Sequence, residues 1–135
     1  MKKITLLLII SLITVSLSAN NDNQIDSLYK KLITVEDTLK AKLLNELSWE
    51  LRNSEPEKSI DYGLEAIQFA EKYKNYEELV KAYSFIGVAY RILGNYSEAI
   101  DYYYNGLQLA KKYGVYEQEG YAYINIGNLN IYQGY

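Results

Sequence analysis

The chemistry open to this chain is limited first by the residue types it lacks. Its 135 residues include no cysteine and no histidine. A disulfide framework, a thiolate zinc site, a cysteine nucleophile and an imidazole base are therefore excluded within these residues. The carboxylates Asp61 and Asp101 occupy equivalent positions in two similar segments of the chain, which favours solvated positions on neighbouring helices over a converging catalytic pair. We expect no catalytic residue, no metal site and no bound cofactor here.

Cationic residues leave a different chemistry, the binding of a negatively charged group. Arg52, Lys81 and Arg91 could together hold a carboxylate, because arginine and lysine form charge-assisted hydrogen bonds with carboxylate oxygens. Ordinary solvated helix faces are the simpler explanation of the same side chains. The choice depends on the elements that position them.

These elements are clearest in the central stretch from Ala82 to Ala110. Its first half has helical spacing of i, i+3, i+4 and i+7, at Tyr83, Ile86, Gly87 and Tyr90. Gly94 and Asn95 then interrupt the pattern as turn residues do. A second apolar face follows at Ala99, Ile100, Tyr103, Gly106, Leu107 and Ala110. The short connection predicts an antiparallel helix hairpin, and we expect its backbones to approach most closely where Gly87 faces Ala99.

The same pattern recurs along the chain at a constant interval, without a gap. A shift of 40 aligns nine residues between Ile60 and Glu77 with identical residues between Ile100 and Glu117. The same shift pairs Ala82, Tyr83, Ile86, Gly87 and Gly94 with Ala122, Tyr123, Ile126, Gly127 and Gly134. The chain is therefore predicted to be an array of similar hairpins.

The central residues resemble the tetratricopeptide repeat (TPR), whose helices carry an aromatic residue, an aliphatic-Gly pair and a Tyr, and then Ala, an aromatic residue and Ala. Gly106 departs from this pattern by replacing the last Ala, and the Pro that often closes a repeat is missing. The period of 40 exceeds the usual value of about 34 residues. The resemblance implies an all-α, right-handed solenoid of antiparallel helix hairpins with repeats of about 40 residues.

Five segments follow from this interpretation. They are a signal peptide at 1–19, an N-terminal capping helix at 20–37, a degenerate first repeat at 38–76, a second repeat at 77–116, and the first helix of a truncated third repeat at 117–135. Within the first repeat, Ser54-Glu55-Pro56-Glu57 matches a capping box, in which Ser54 accepts a hydrogen bond from a backbone amide near Glu57. Such arrays need caps because a terminal repeat otherwise leaves its apolar face in water.

The N-terminus predicts export. Lys2 and Lys3 precede an apolar run of 14 residues and the small pair Ser18-Ala19, the pattern of a cleaved signal peptide. An uncleaved anchor is the alternative, although the run is shorter than the ~20 residues that span a bilayer. We expect a periplasmic or otherwise extracytoplasmic protein. Cleavage leaves 12 basic and 17 acidic residues, a balance that opposes nucleic-acid binding.

The last helix has no second helix after it in this sequence. We expect Tyr123, Ile126 and Leu129 to be exposed there, and the chain to be the N-terminal fragment of a longer protein. Dimerisation through the open end is the alternative.

The resemblance also implies a function. Family members bind peptides or partner helices on the concave face that their first helices line. The corresponding positions here are Ser48, Arg52, Lys81, Ser84, Val88, Arg91, Ile124, Asn125 and Asn128. Asn128 matches a position at which an amide often grips a ligand backbone, since an amide both donates and accepts. We expect a protein or peptide partner, with no nucleic acid, and a membrane only through a possible downstream transmembrane helix.

The segment from Leu43 to Lys72 resembles the first repeat of exported proteins common in Bacteroidetes-type bacteria. There, several repeats precede a membrane helix and a histidine kinase or a helix-turn-helix output domain. The resemblance implies the extracytoplasmic sensory part of a signalling protein. The alternative is an enzyme, a sensor histidine kinase whose catalytic domain lies beyond residue 135. A carbohydrate-handling array is a further alternative, suggested only by the 16 tyrosines.

Overall fold

The computed structural model describes residues 22–133, with side chains described up to Leu129. The predicted signal peptide at 1–19 lies outside the described residues. The described part contains six helices: α1 at 22–34, α2 at Asp37–Leu51, α3 at Pro56–Lys72, α4 at Tyr76–Ile92, α5 at Tyr96–Tyr113 and α6 at Tyr116–Gln133. None of these helices is both long enough and apolar enough to cross a membrane.

Consecutive helices pack against each other from α2 to α6, and the contacts also link α2 to α4 and α4 to α6. The first helices of successive hairpins therefore line one side of the array. Helix α1 packs at the N-terminal end of the array. Its Leu28 is buried, and its Leu32 contacts the core around Leu44, Ala66 and Ala82. The all-α fold of antiparallel helix hairpins is confirmed.

The turns between hairpins share a backbone conformation. Lys74, after α3, and Gly114, after α5, lie one repeat apart and have φ values of 56° and 70°. This left-handed region costs a residue with a Cβ atom about 1–2 kcal/mol. Next to Lys74, the Asn75 side chain accepts a hydrogen bond from the Glu78 amide at 3.3 Å and caps α4.

The predicted capping box at the start of α3 is wrong. Pro56 occupies the first turn, so the N-cap is Glu55, and its side chain makes no capping hydrogen bond. Ser54 therefore lies one residue before the cap. The Glu55 carboxylate instead forms an ion pair with Lys58.

Gly87 faces a larger residue than predicted. A Cβ atom added to it would lie 2.5 and 2.6 Å from the Cε1 and Cδ1 atoms of Tyr103. Tyr103 is the largest fully buried side chain in the described part of the chain. The glycine therefore makes room for a ring of α5, and the expected partner Ala99 is buried in the same cluster.

The exposure predicted for the last helix is only partly correct. Ile126 is 8% exposed and Leu129 is 0% exposed, because both pack with Tyr103 and Leu107 of α5. Tyr123 is 51% exposed, as predicted. One side of α6 is thus buried on α5, while another side faces solvent.

Candidate functional site

A cavity of about 310 Å³ lies where α2, α4 and α6 come together. It is lined by Trp49, Lys81, Ser84, Phe85, Val88, Gln118, Tyr121 and Asn125. Helices α2 and α4 are the first helices of their hairpins, and α6 occupies the equivalent position one repeat after α4. The repeated architecture therefore builds this groove.

Aromatic side chains of α2, α4 and α6 form most of its apolar wall. The ring centroids of Trp49 and Phe85 are 4.9 Å apart, and Tyr121 of α6 is 53% exposed. The Arg52 guanidinium lies 3.6 Å from the centroid of the Trp49 ring and donates a hydrogen bond to the Trp49 carbonyl. This cation–π contact fixes the indole at one end of the groove.

A second cavity of about 240 Å³ adjoins the first and shares Trp49, Lys81 and Phe85 with it. Its six other lining residues are all polar or charged: Gln24, Lys42, Asn45, Glu46, Glu50 and Glu78. The concave side thus has an aromatic part next to a charged part.

A buried polar network joins these two parts. Glu78 is 6% exposed, and the Asn45 amide nitrogen donates to its Oε2 at 2.8 Å and to its carbonyl at 2.9 Å. The Lys81 ammonium lies 3.1 Å from Glu78 and 2.7 Å from Glu77. Burial by itself lowers the pKa of Lys81, but the hydrogen bonds to Glu77 and Glu78 outweigh it and raise that pKa. Lys81 therefore stays charged within the groove.

Four residues predicted for ligand contact line the larger cavity: Lys81, Ser84, Val88 and Asn125. Ser84 is 4% exposed, and its Oγ has no hydrogen-bond partner among the described residues. A polar atom in such a position gains a hydrogen bond if a ligand supplies a partner.

Ser48 does not reach the groove. It is fully buried, its carbonyl accepts from the Ser59 Oγ at 2.6 Å, and the two hydroxyl oxygens are 3.2 Å apart. The prediction therefore placed Ser48 on the wrong side of α2. In the structure it faces α3, where small residues let the two helices approach.

The other predicted residues are dispersed. Arg52 packs on Trp49 at the edge of the groove. Arg91 influences the ionisation of Tyr103, because burial raises the pKa of the Tyr103 hydroxyl and the Arg91 guanidinium opposes this rise. Asn128 and Ile124 are exposed on α6 and do not line either cavity. Of the three cations expected to hold a carboxylate, only Lys81 lines the cavity.

Sequence reasoning missed the aromatic wall. Trp49, Phe85 and Tyr121 were not assigned to the groove, although Phe85 is four residues after Lys81 and Tyr121 four residues before Asn125. Helical spacing of i, i+4 places such pairs on one face. Gln118, which is 6% exposed in the structure, lies seven residues before Asn125, so helical spacing also places these two residues on one face.

Comparison with known families supports the repeat interpretation of the central hairpin. Residues 80–113 match the family model of the tetratricopeptide repeat. No significant match to a curated protein or to a solved structure was found. The matched residues cover most of α4 and all of α5, and they include no residue of α3 or α6. The chain therefore contains a tetratricopeptide repeat at residues 80–113, preceded by the α2–α3 hairpin and followed by α6.

Proposed function

We propose that this protein is a non-catalytic interaction module that binds a peptide segment of a partner protein in the groove between α2, α4 and α6. Tetratricopeptide repeats generally bind protein partners. The observation that carries the proposal is the cavity of about 310 Å³ lined by Trp49 of α2, Phe85 of α4 and Tyr121 of α6.

The groove offers the two kinds of contact that a peptide needs. Partly exposed aromatic rings gain free energy when a ligand covers them, and aromatic residues are common among those that dominate binding. Ser84 and Asn125 place a hydroxyl and an amide within the same lining. Both can satisfy backbone groups of a bound segment.

The test uses the position of the chain's only tryptophan, Trp49. Peptides selected from a random phage-displayed library would be synthesised and titrated into the protein while Trp49 fluorescence is followed. Truncating a central aromatic residue costs about 1.4 kcal/mol or more, so we expect Tyr121→Ala to weaken binding about tenfold.

Tyr104→Ala is the matched control. Tyr104 is 48% exposed, close to the 53% of Tyr121, but it lies on α5 away from the groove. We expect it to bind like the unaltered protein. Equal affinities for the two variants, or selected peptides that leave Trp49 fluorescence unchanged, would show that the groove is not the binding site.

The compartment is a second part of the proposal. The basic start, apolar run and small pair at residues 1–19 support export and cleavage near residue 19. Mass spectrometry of the protein from fractionated cells tests this, since a mature N-terminus near Asn20 in the extracytoplasmic fraction is the expected result. An intact Met1 on the protein would contradict it.

The resemblance of residues 43–72 to exported sensory arrays supports a role in signal transduction. In that role the groove would receive the signal, and the output would belong to another domain such as a histidine kinase. The encoded sequence after residue 135 tests this assignment. A hydrophobic run of ~20 residues followed by an output domain is expected, while further repeats and a stop would favour a secreted scaffold.

A further inference from the structure

The polar cavity beside the aromatic groove has a size and a lining of its own. We call this cavity of about 240 Å³, whose lining includes Asn45, Glu46, Glu50 and Glu78, the charged cavity. Its volume is below the range of about 300–1,000 Å³ that is typical of pockets for whole small molecules. The charged cavity is therefore large enough for one side chain of a larger ligand.

Two carboxylates of α2 in this cavity have no ion-pair partner among the described residues. Glu46 and Glu50 are half-buried and lie four residues apart, hence on one face of α2. The ion pairs of the described part of the chain include neither of them. Lys81 is paired with Glu78 at 3.1 Å, and Lys42 is exposed. The charged cavity therefore presents negative charge that its own basic residues do not neutralise.

A buried amide oxygen in the same lining also lacks a partner. Asn45 is 2% exposed, and its Oδ1 has no hydrogen-bond partner among the described residues. Glu50 accepts a hydrogen bond from the Gln24 amide at 3.1 Å, which leaves further acceptor positions on the same carboxylate. A buried acceptor without a partner costs free energy that a hydrogen-bond donor recovers. The missing partner of this cavity is therefore a donor.

Aromatic rings supply the apolar part of the lining. Trp49 and Phe85 border both cavities, and their ring centroids are 4.9 Å apart. The methylene groups of a long cationic side chain pack on apolar surface while the charged end stays among polar groups. Arg52 does not fill this role for the protein itself, because its guanidinium lies over the Trp49 ring and donates to the Trp49 carbonyl.

We propose that the charged cavity receives the guanidinium of an arginine side chain from the peptide segment bound in the groove. A guanidinium carries five N–H donors in a planar fork and no acceptor. It therefore matches the carboxylates of Glu46 and Glu50 and the unpaired amide oxygen of Asn45. A carboxylate on the ligand would be repelled by the same acidic residues. This inference rests on the function proposed for the groove, since it names one side chain of the segment bound there.

The test follows the indole N–H of Trp49, which lines the charged cavity and belongs to the chain's only tryptophan. Nα-acetyl-argininamide is titrated into the ¹⁵N-labelled protein at constant ionic strength, and the indole resonance is followed by nuclear magnetic resonance. The neutral analogue Nα-acetyl-citrullinamide has nearly the same shape. We expect a saturable shift with the arginine ligand and an affinity about fivefold lower for the citrulline ligand, because it lacks the charge that pairs with the carboxylates.

Two variants test which residues recognise the charge. Glu46→Gln and Glu50→Gln each remove one charge with little change of shape, and each should weaken binding of the arginine ligand about fivefold. Glu65→Gln is the matched control, because Glu65 is an exposed residue of α3 that does not line the charged cavity. It should bind like the unaltered protein. Far-UV circular dichroism checks that each variant is folded, and the comparison of the two ligands needs no variant.

Equal affinities of the arginine and citrulline ligands would overturn the inference, as would equal affinities of Glu46→Gln, Glu50→Gln and Glu65→Gln for the arginine ligand. The library-selected peptides separate this inference from the proposed function. If they bind in a Tyr121-dependent manner while the arginine ligand leaves the indole resonance unchanged, the groove function stands and the arginine subsite is wrong. If the arginine ligand binds through Glu46 and Glu50 but no selected peptide depends on Tyr121, the guanidinium subsite stands and the proposed peptide groove is wrong.

Discussion

Gly87 and Gly127 occupy equivalent positions in successive repeats, yet alanine should have opposite effects at the two sites. At Gly87 the added methyl group would lie 2.5 Å from the Tyr103 ring, which is fully buried and cannot move aside freely. At Gly127 it would meet nothing within 4 Å among the described atoms. We predict that Gly87→Ala destabilises the protein and Gly127→Ala stabilises it.

The magnitudes follow from two contributions. Replacing glycine by alanine inside a helix contributes about 0.5–1 kcal/mol of stability at both positions. Overpacking a filled core costs about 1–3 kcal/mol and applies only at Gly87. The helix contribution cancels in the difference between the two variants, so that difference should be about 1–3 kcal/mol.

Urea unfolding followed by far-UV circular dichroism measures this difference, with the two variants compared at equal m-values. Repeat arrays can unfold in stages, so coincidence of the dichroism and Trp49 fluorescence transitions is a necessary check. Combining Gly87→Ala with Tyr103→Leu should reduce the penalty, because a flexible side chain can shift away from the methyl group. Equal changes in stability at Gly87 and Gly127 would refute the packing argument.

Three further predictions concern the turns, the buried network and alkaline pH. Lys74→Gly should stabilise the protein by about 0.5–1 kcal/mol in urea unfolding, because φ of 56° strains a residue with a Cβ atom. Gly114→Ala should destabilise it for the same reason. A loss of stability in Lys74→Gly would contradict this explanation. Asn45→Ala should cost about 2 kcal/mol of stability in the same assay, because it removes two hydrogen bonds to the buried Glu78. An effect below about 0.5 kcal/mol, the size of an ordinary surface change, would show that the network does not stabilise the fold. Burial raises the pKa of the Tyr103 hydroxyl. Its contribution to the free energy of unfolding is therefore fully present below the unfolded pKa of about 10 and is lost as pH rises through the folded pKa. Tyr103→Phe should lose less stability than the unaltered protein in alkaline solution, and identical pH profiles of stability would count against this.

Much of the fold could be predicted from the pattern of residues. Helical spacing at Tyr83, Ile86 and Tyr90 and the Gly94-Asn95 turn located a hairpin that the structure contains at α4 and α5. The constant interval between similar segments extended this hairpin to its neighbours. These features are local, since each depends on side chains within one or two helical turns.

The groove could be predicted only in part. Lys81, Ser84, Val88 and Asn125 line the cavity as expected, but Ser48 is buried against Ser59. A rotation of one residue position moves a side chain by about 100° around a helix. Periodicity in a single helix does not fix that rotation to this precision, so contact with the neighbouring helix decided it.

The sequence by itself determined that this chain lacks cysteine and histidine chemistry and that it forms repeated helix hairpins. Both conclusions depend on composition and on short-range spacing. Only the tertiary structure decided that Tyr103 rather than Ala99 fills the space at Gly87 and that Ile126 is buried while Tyr123 is exposed. It also decided that aromatic residues of α2, α4 and α6 line one groove. The physical reason is that helical periodicity defines which residues share a face, whereas the rotation and separation of packed helices determine what each face contacts.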